Sequence, residues 1–370
     1  MTMTPSANFP KVAVVILNYN GMKEDYLARF LPSVYASIYP NLELYVADNK
    51  STDNSVAYLK SEGFHVRTDS SLNEYDLPRY LIELEENHWF AGGYNRALKE
   101  VEADYYILLN SDVKVAPDWI QPIINLMESD AQIGACQPKV RMESTPYLFE
   151  HAGASGGYMD KWGYPFCRGR IFTKVEEDRG QYDDVQEVFW ATGAALFIRK
   201  ELFHDLGGFD EDYKAHMEEI DLCWRLKRAN YKVMVCPQSV VWHVGGGTLP
   251  QHSPQKAFLN FRNSLSTVFK NEVGNKAYTI VFIRLLLDAV AGLRFLLNGE
   301  FANVWAIIRA HWSFFTQYGK NKQKRSLTAE VVARHCYNGQ PHYRAKGLYD
   351  KSIVWQHFVK GKQTFDKLER

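Results

Sequence analysis

Three groups of residues in this chain have the types and spacing to do chemistry. The first is Asn110-Ser111-Asp112, directly after the apolar run Tyr105 to Leu109. A carboxylate placed there can bind a hard divalent cation, Mg²⁺ or Mn²⁺, which prefers oxygen ligands and keeps open positions for phosphate oxygens. The second is His243, in Val-Trp-His-Val-Gly-Gly-Gly. Its imidazole suits Mn²⁺ as a second protein ligand, and the glycines that follow allow a loop to approach phosphate closely or to move as a lid. The third is Met217 to Arg225, where Glu218, Glu219 and Asp221 open a helix. Acids at a helix start suit its dipole, but Asp210, Glu211 and Asp212 come shortly before, more acid than capping requires. Glu218 and Asp221 share a helix face at i, i+3. One carboxylate of the group can then accept a hydroxyl proton while its neighbours fix it.

The elements that must position these groups are legible from period and punctuation. Val12 to Leu17 is a β-branched run ending in Asn-Tyr-Asn-Gly, which reads as a buried parallel strand and a polar turn. Asp25 to Ile38 reads as a helix, Leu42 to Ala47 as a strand ending at Asp48, Ser55 to Ser61 as a short helix, and Tyr80 to Leu84 as a strand. Gly92 to Val101 reads as a helix and Tyr105 to Leu109 as a strand. Strand alternating with helix predicts an α/β fold with a doubly wound, mainly parallel sheet. Polar residues gather just after successive strands: Asn18 and Asn20, Asp48, Asn87 and Asn95, then Asp112. The carboxyl ends of strands line the ligand crevice in such a sheet, so this series favours a nucleotide site. Pro138 to Asp184 reads as irregular loops over that site, Phe189 to Arg199 as a strand, Glu218 to Arg228 as a helix, and Lys232 to Cys236 and Val240 to His243 as short strands.

Bulk composition narrows the function classes. Hydrophobic residues at 46% and charged residues at 23% describe a folded chain. Lys plus Arg equals Asp plus Glu at 43 each, which argues against a nucleic-acid binder. The balance is uneven: Thr316 to Arg370 holds eight Lys and four Arg against four acids, a net of +8. That tail suits an anionic membrane or polymer, and a solvated basic surface explains it equally well. The five cysteines lack zinc-like spacing and form no evident disulfide framework, so reduced thiols in a cytoplasmic protein are expected. The first ten residues lack the apolar core of a signal peptide.

Taken together, the residues carry a family resemblance. The pieces are VVILNYNG (Val14 to Gly21), VADNKSTDNS (Val46 to Ser55), ENHWFAGGYNRAL (Glu86 to Leu98), ILLNSDVKV (Ile107 to Val115), WATGAALFIRKELFHDLGGFDED (Trp190 to Asp212), EEIDLCWR (Glu218 to Arg225) and WHVGGGTL (Trp242 to Leu249). In this order, over about 240 residues, they resemble a family 2 glycosyltransferase of the GT-A fold, near the rhamnosyltransferase-like bacterial branch. The resemblance implies that Asn18, Asn20, Asp48 and Asn95 surround the nucleoside of a nucleotide-sugar donor. Asn87, Gly92, Gly93 and Ser111 belong to the same matched segments. Asp112 matches the last acid of the family's DxD-type motif, whose first acid is Asn110 here, and His243 matches its later metal-binding His. Glu219 falls at the catalytic-base position, where the family commonly has Asp, leaving Glu218 or Glu219 as base. The surroundings of Arg262 resemble a segment near the donor phosphates. The implied reaction is inverting transfer of a sugar to an acceptor hydroxyl on a glycan or lipid-linked carrier, in bacterial surface glycan assembly. The alternatives are a sugar nucleotidyltransferase, which would be expected to carry a Gly-rich basic loop after the first strand, and a non-catalytic carbohydrate-binding protein.

The tail from Gln255 onward reads as helical and amphipathic. This divides the chain into a GT-A catalytic domain, 1–255, and a basic helical extension, 256–370. Tyr278 to Leu297 is apolar but interrupted by Arg284, Asp288 and Arg294, which argues against a spanning helix. Arg284, Asp288, Ala291 and Asn298 fall along one stripe, with Ile283, Leu286, Leu287, Val290, Leu293 and Leu297 over much of the rest. That pattern is expected of a helix lying on the cytoplasmic membrane face. Packing on the catalytic domain or in a homodimer explains it as well.

Overall fold

The computed structural model describes residues 9–66, 77–150, 153–245, 253–340 and 342–368. Of the glycine loop only Gly245 falls within them; Gly246 and Gly247 lie outside the described residues.

The first half alternates as expected: β1 (Val12–Asn18), α1 (Tyr26–Tyr35), β2 (Leu42–Asp48), α2 (Ser55–Ser61), β3 (Arg79–Glu83), α3 (Trp89–Ala97) and β4 (Tyr105–Asn110). There follow β5 (Val113–Val115), α4 (Ile120–Ser129), β6 (Ile133–Met142), then β7 (Gly157–Asp160), β8 (Pro165–Cys167), β9 (Arg170–Ile171) and β10 (Lys174–Val175). β11 (Gln186–Val188), β12 (Ala195–Arg199), α5 (Lys200–Asp205), α6 (Glu218–Arg228) and β13 (Lys232–His243) complete the central part. The C-terminal part holds α7 (Pro254–Asn271), α8 (Lys276–Leu297), α9 (Phe301–Thr316), α10 (Tyr318–Arg334) and β14 (Leu348–Tyr349).

The main sheet runs β11-β13-β6-β12-β4-β1-β2-β3, with β5 paired to β13. β3, β2, β1 and β4 are mutually parallel, β12 lies antiparallel between β4 and β6, and β13 runs parallel to β6. Period-2 alternation explains why both faces are covered. Val12, Val14 and Ile16 pack into one core with Leu27, Leu31 and Ile123, while Ala13 and Val15 pack into the other with Tyr94, Ala97 and Trp224.

The structure departs from the reading of Pro138 to Asp184 as loops. That stretch contains the end of β6 and a second sheet, β10-β9-β8-β7-β14, whose strands of two to four residues are too short for a period to show. The strand expected from Phe189 begins only at Ala195, because Trp190 bridges to Gly157 and Thr192 N–H donates to Gln137 Oε1 at 2.9 Å. The two short strands before His243 are one strand with an irregularity between Cys236 and Val240.

No described helix is long and apolar enough to cross a membrane. The stripe of α8 is oriented opposite to that of an interfacial helix with its polar side in water. Arg284 and Asp288 are buried, and the apolar residues Leu286, Val290, Leu293 and Leu297 are exposed.

Candidate functional site

At the carboxyl ends of β1 and β2, Asn18 Nδ2 donates to Asp48 Oδ1 at 2.9 Å and to Ser51 Oγ at 3.1 Å. Ser51 N–H donates to Asp48 Oδ2 at 2.9 Å, and Asn20 Oδ1 accepts from Thr52 N–H at 2.7 Å. Asn18 and Asp48 are buried, and Asn18 Oδ1 has no partner. Gly21 lies directly against this oxygen, where a Cβ would come within 2.2 Å of it. Asn87 accepts from Asn49 Nδ2 at 3.1 Å and holds the loop before α3. Gly93 is a packing requirement: a Cβ there would meet Leu17 at 2.8 Å. Gly92 is similarly crowded, by Arg96 and His88 at 3.1 Å.

Asn95 lies on α3 and is engaged with the turn after α5. Its Nδ2 donates to Phe209 carbonyl at 2.8 Å and to Glu211, while its Oδ1 accepts from Phe209 N–H at 2.9 Å. The amide is spent on clamping the turn after α5 and does not join the Asn18–Asp48 floor.

The β4–β5 turn carries Ser111, partly exposed, and Asp112, buried. β5 pairs with the end of β13, placing Val113 opposite His243, and Val244 N–H donates to Asp112 carbonyl at 3.1 Å. The pairing brings Asp112 Oδ1 to 3.2 Å from His243 Nε2. On the other side of the ring, Glu150 Oε2 stands 3.2 Å from His243 Nδ1. Burial alone would lower the imidazole's pKa, but the Asp112 and Glu150 carboxylates outweigh it and hold it well above the ordinary value. Nothing in the sequence around Glu150 signals its role. A carboxylate behind a histidine fixes the tautomer and orients the other nitrogen, as in metal sites. This donor set, one carboxylate and one oriented imidazole from adjoining strands, fits a Mn²⁺- or Mg²⁺-sized cation that completes its shell with phosphate oxygens. Among the described residues no group of three or more His, Cys, Asp or Glu side chains forms a closed metal cage.

α6 is entered through a strained turn, with Lys214, His216 and Met217 all at positive φ (64°, 70° and 77°). Two side chains of α7 hold it. Asn263 Nδ2 donates to the carbonyls of Tyr213, Ala215 and His216 at 2.7–3.0 Å, and Arg262 donates to those of Asp212 and Tyr213. Arg262 is buried and anchors this turn.

The three acids at the start of α6 have three fates. Asp221 is buried and paired with Arg225 and Lys270, each at 2.8 Å, and accepts from Asn271 at 2.6 Å. Burial would raise its pKa, but Lys270 and Arg225 hold it below the usual range. That full set of partners ties Asp221 into the packing of α6 on α7. Glu218 is buried, and burial followed by the charge of Glu219 raises it well above a normal carboxyl. Glu219 is partly buried, its Oε2 has no partner, and burial pushes its pKa up to about 7. Of the two, Glu219 alone lines a cavity of about 250 Å³, with Arg170, Trp190, His216 and Asn260. The site residues contributed by the small sheet and by α7 escaped the sequence reading, because they lie on elements it left as loops or as a separate extension.

Glu219 and the Asp112–His243 pair are joined through the segment that leads into β12. Asn110 N–H donates to Ala194 carbonyl at 3.0 Å, and the adjacent Gly193 lies against Glu219, its Cβ position 3.6 Å from that of Glu219. A second cavity of about 420 Å³, lined by Arg170, Lys256, Arg284, Phe295 and Asn303, shares Arg170, Met217 and Asn260 with the first. One cleft thus runs from the α6 entrance to the C-terminal helices.

The chain is similar to known proteins in sequence and in fold. The chain is 27% identical over 251 residues to the O-antigen biosynthesis protein RfbC of Myxococcus xanthus, covering 65% of this chain but only 18% of that protein. It is 24% identical over 232 residues to the N-acetylglucosaminyl-diphospho-decaprenol L-rhamnosyltransferase of Mycobacterium tuberculosis, covering 59% and 71%. Among solved structures, S. aureus TarS 1-349 in complex with UDP-GlcNAc superposes with a TM-score of 0.53 at 15% identity, covering 95% of this chain and 92% of that one. GalNAc-T7 with UDP, GalNAc and Mn²⁺ gives 0.52 at 16%, covering 71% and 48%. Both structures show likeness of fold, the GT-A glycosyltransferase fold with a C-terminal helical region here. The model of Glycosyl transferase family 2 matches residues 13–207, more than half of the 370, and the chain belongs to that family.

Proposed function

We propose that this glycosyltransferase transfers a sugar, with inversion, from a nucleoside diphosphate to an acceptor hydroxyl in bacterial glycan assembly, with Glu219 as general base. The observation that carries the reading is Glu219 itself: a carboxylate with one unpartnered oxygen and a pKa near 7, lining a cavity and joined through Gly193 and Ala194 to the Asp112 turn. The acceptor oxygen attacks the anomeric carbon as its proton passes to Glu219. The carbon–oxygen bond to the diphosphate breaks, and its electron pair leaves on the diphosphate oxygen. Asp112 and His243 would hold a divalent cation, which when bound stabilises the charge on the leaving diphosphate. Asn18, Asp48 and Asn20 line the floor for the nucleoside. The names of the relatives support an acceptor carried on a lipid diphosphate, one being an N-acetylglucosaminyl-diphospho-decaprenol L-rhamnosyltransferase, and a place in O-antigen-like surface glycan assembly.

The test is donor hydrolysis without acceptor, screened over nucleotide sugars with Mn²⁺ or Mg²⁺. One donor class should release nucleoside diphosphate in a metal-dependent way, and Asp112→Asn should abolish that release while circular dichroism shows the fold retained. Glu150→Gln should raise the metal concentration needed by about 10–100-fold, because it removes the group that orients His243. Metal-independent release, or full activity of Asp112→Asn at low metal, would overturn the assignment. Production of a nucleotide sugar from a sugar phosphate would instead establish the nucleotidyltransferase alternative.

A further inference from the structure

Surface helices in water-soluble folds turn their apolar faces inward. α8 and α9 bury Ile280, Val281, Ile307 and Phe314 in that way, but each also turns a second apolar face outward. The inward stripe of α8 includes Arg284, Asp288 and Gly292. Opposite it stand Phe282, Leu286, Val290, Leu293 and Leu297, all more than half exposed, Leu297 at 79%. The inward stripe of α9 is Asn303, Ala306, Ile307, Ala310 and Phe314. Its outward stripe is Phe301, Trp305, Ile308, Trp312 and Phe315, again all more than half exposed, Trp312 at 73%. Steps of three and four residues place each set on one side of its helix. The polar interior is built: Asp288 accepts from the Tyr164 hydroxyl at 3.0 Å and lies 3.1 Å from His311 Nε2. Arg284 donates to Gly163 carbonyl at 2.8 Å and stacks 3.7 Å from the Tyr164 ring. The two helices pack together, so their outward stripes form one apolar face. Trp355, Phe358 and Val359 extend it past the end of α8, where the Arg294 guanidinium lies 5.4 Å over the Phe358 ring.

We propose that this face docks on an anionic lipid bilayer without spanning it. The charges on the page choose the occupant. α8 and α9 expose Lys276, Arg294 and Arg309, while the one acid within them, Asp288, is buried. Lys351, Lys360 and Lys362 flank the Trp355 turn. Cations around an apolar, tryptophan-bearing face match anionic headgroups, whereas a second copy would set like charges against each other. The face also borders the cleft: Phe172, which lines the Glu219 cavity, packs 5.0 Å from Phe358, and Phe295 and Asn303 line the adjoining cavity. Docked this way, the cleft receives an acceptor carried in the bilayer, a consequence that rests on the function proposed above.

The experiment is co-sedimentation of the full chain with vesicles of phosphatidylcholine alone or mixed with phosphatidylglycerol. Binding to the mixed vesicles is expected, weakening as salt rises. The exposed pair Arg294→Gln/Arg309→Gln should weaken it about 25-fold, two cations at roughly 1 kcal/mol each. Leu297→Ser/Trp312→Ser should weaken it by about tenfold or more, with unchanged melting and unchanged donor hydrolysis. No sedimentation with anionic vesicles at low salt, or binding that ignores the Leu297/Trp312 pair, overturns the proposal. A dimer in ultracentrifugation that this pair dissolves, with no vesicle binding, assigns the face to a second copy. Vesicle binding by a chain that hydrolyses no donor leaves docking intact and removes the catalytic reading.

Discussion

A carboxylate that takes a proton from a sugar hydroxyl works best with a pKa near the working pH, and burial gives Glu219 a value of about 7 against an ordinary 4.5. Because the folded value is raised, the protonated form favours the fold. That contribution to stability is complete below about 4.5 and is lost as pH rises through about 7. Activity runs the other way, so kcat/KM of the free enzyme should climb with pH through an acid limb near 7. Glu219→Gln should lower transfer by roughly 10²–10⁴-fold and erase that limb, while donor binding is kept. Glu218→Gln should stay active, since Glu218 does not reach the cavity. A dead Glu218→Gln with an active Glu219→Gln would exchange the roles. Asp112, His243 and Glu219 stand out in the sequence because each sits where a regular element starts or stops and its type suits a reaction. The partners of Asn95, Arg262 and Asp221 were not legible for a physical reason: a sequence shows what a side chain can bond, not which backbone carbonyl or ion it does bond. Glu150 was invisible because its partner is 93 residues away and the strands beside it are only a few residues long.

At the scale of elements, the fold was clearest where strands run long enough to show a period. β1, β2 and β4 and the α2 and α6 spans stand close to where the pattern put them, and the small second sheet does not appear in the pattern at all. What sequence could not show is that α7 serves α6. Asn263 fixes three consecutive-turn carbonyls, and Lys270 and Asn271 satisfy Asp221. Together they hold a backbone with three positive-φ side-chain-bearing residues directly ahead of the base. Removing one member of a buried ion pair costs about 3–5 kcal/mol because a charge is left uncompensated, so Lys270→Met should lower the melting temperature strongly. Asn263→Ala leaves buried carbonyls unpaired, at about 1–3 kcal/mol each. It should reduce kcat more than it raises the donor KM, since the turn presents the base and not the nucleotide floor. Equal kcat in Asn263→Ala and wild type, with normal stability, would show that the turn holds its shape without α7.

At the scale of the whole molecule the division into a catalytic domain and an extension becomes a question of which residues each part needs. Reading the sequence alone places a boundary at 255, because the α/β alternation stops and amphipathic helices begin. Long-range contacts cross that line repeatedly. β14 pairs with β7, Ile353 N–H donates to Asp160 at 2.9 Å, and Arg344 joins Lys227 on Glu187, the guanidinium at 2.7 Å and the amine at 2.8 Å. Asp210 is paired with Lys270 of α7 at 2.8 Å and also with Lys324 of α10. Burial would raise Asp210, but these two lysines hold it far below the ordinary carboxylate value, so its stabilising contribution is present above that ordinary value and lost as pH falls. A chain ending at 255 would leave Asp210 and Asp221 buried without their lysines, at several kcal/mol each, against a total stability of only about 5–15 kcal/mol. Residues 1–255 should therefore be insoluble or unfolded by circular dichroism. A chain ending at 340 keeps α7 through α10 and both lysines, loses β14 and the Arg344 pair, and should fold with a lower melting temperature. Cooperative unfolding of residues 1–255 with an unchanged melting temperature would show instead that the two parts are independent, and that the helices serve only the membrane face.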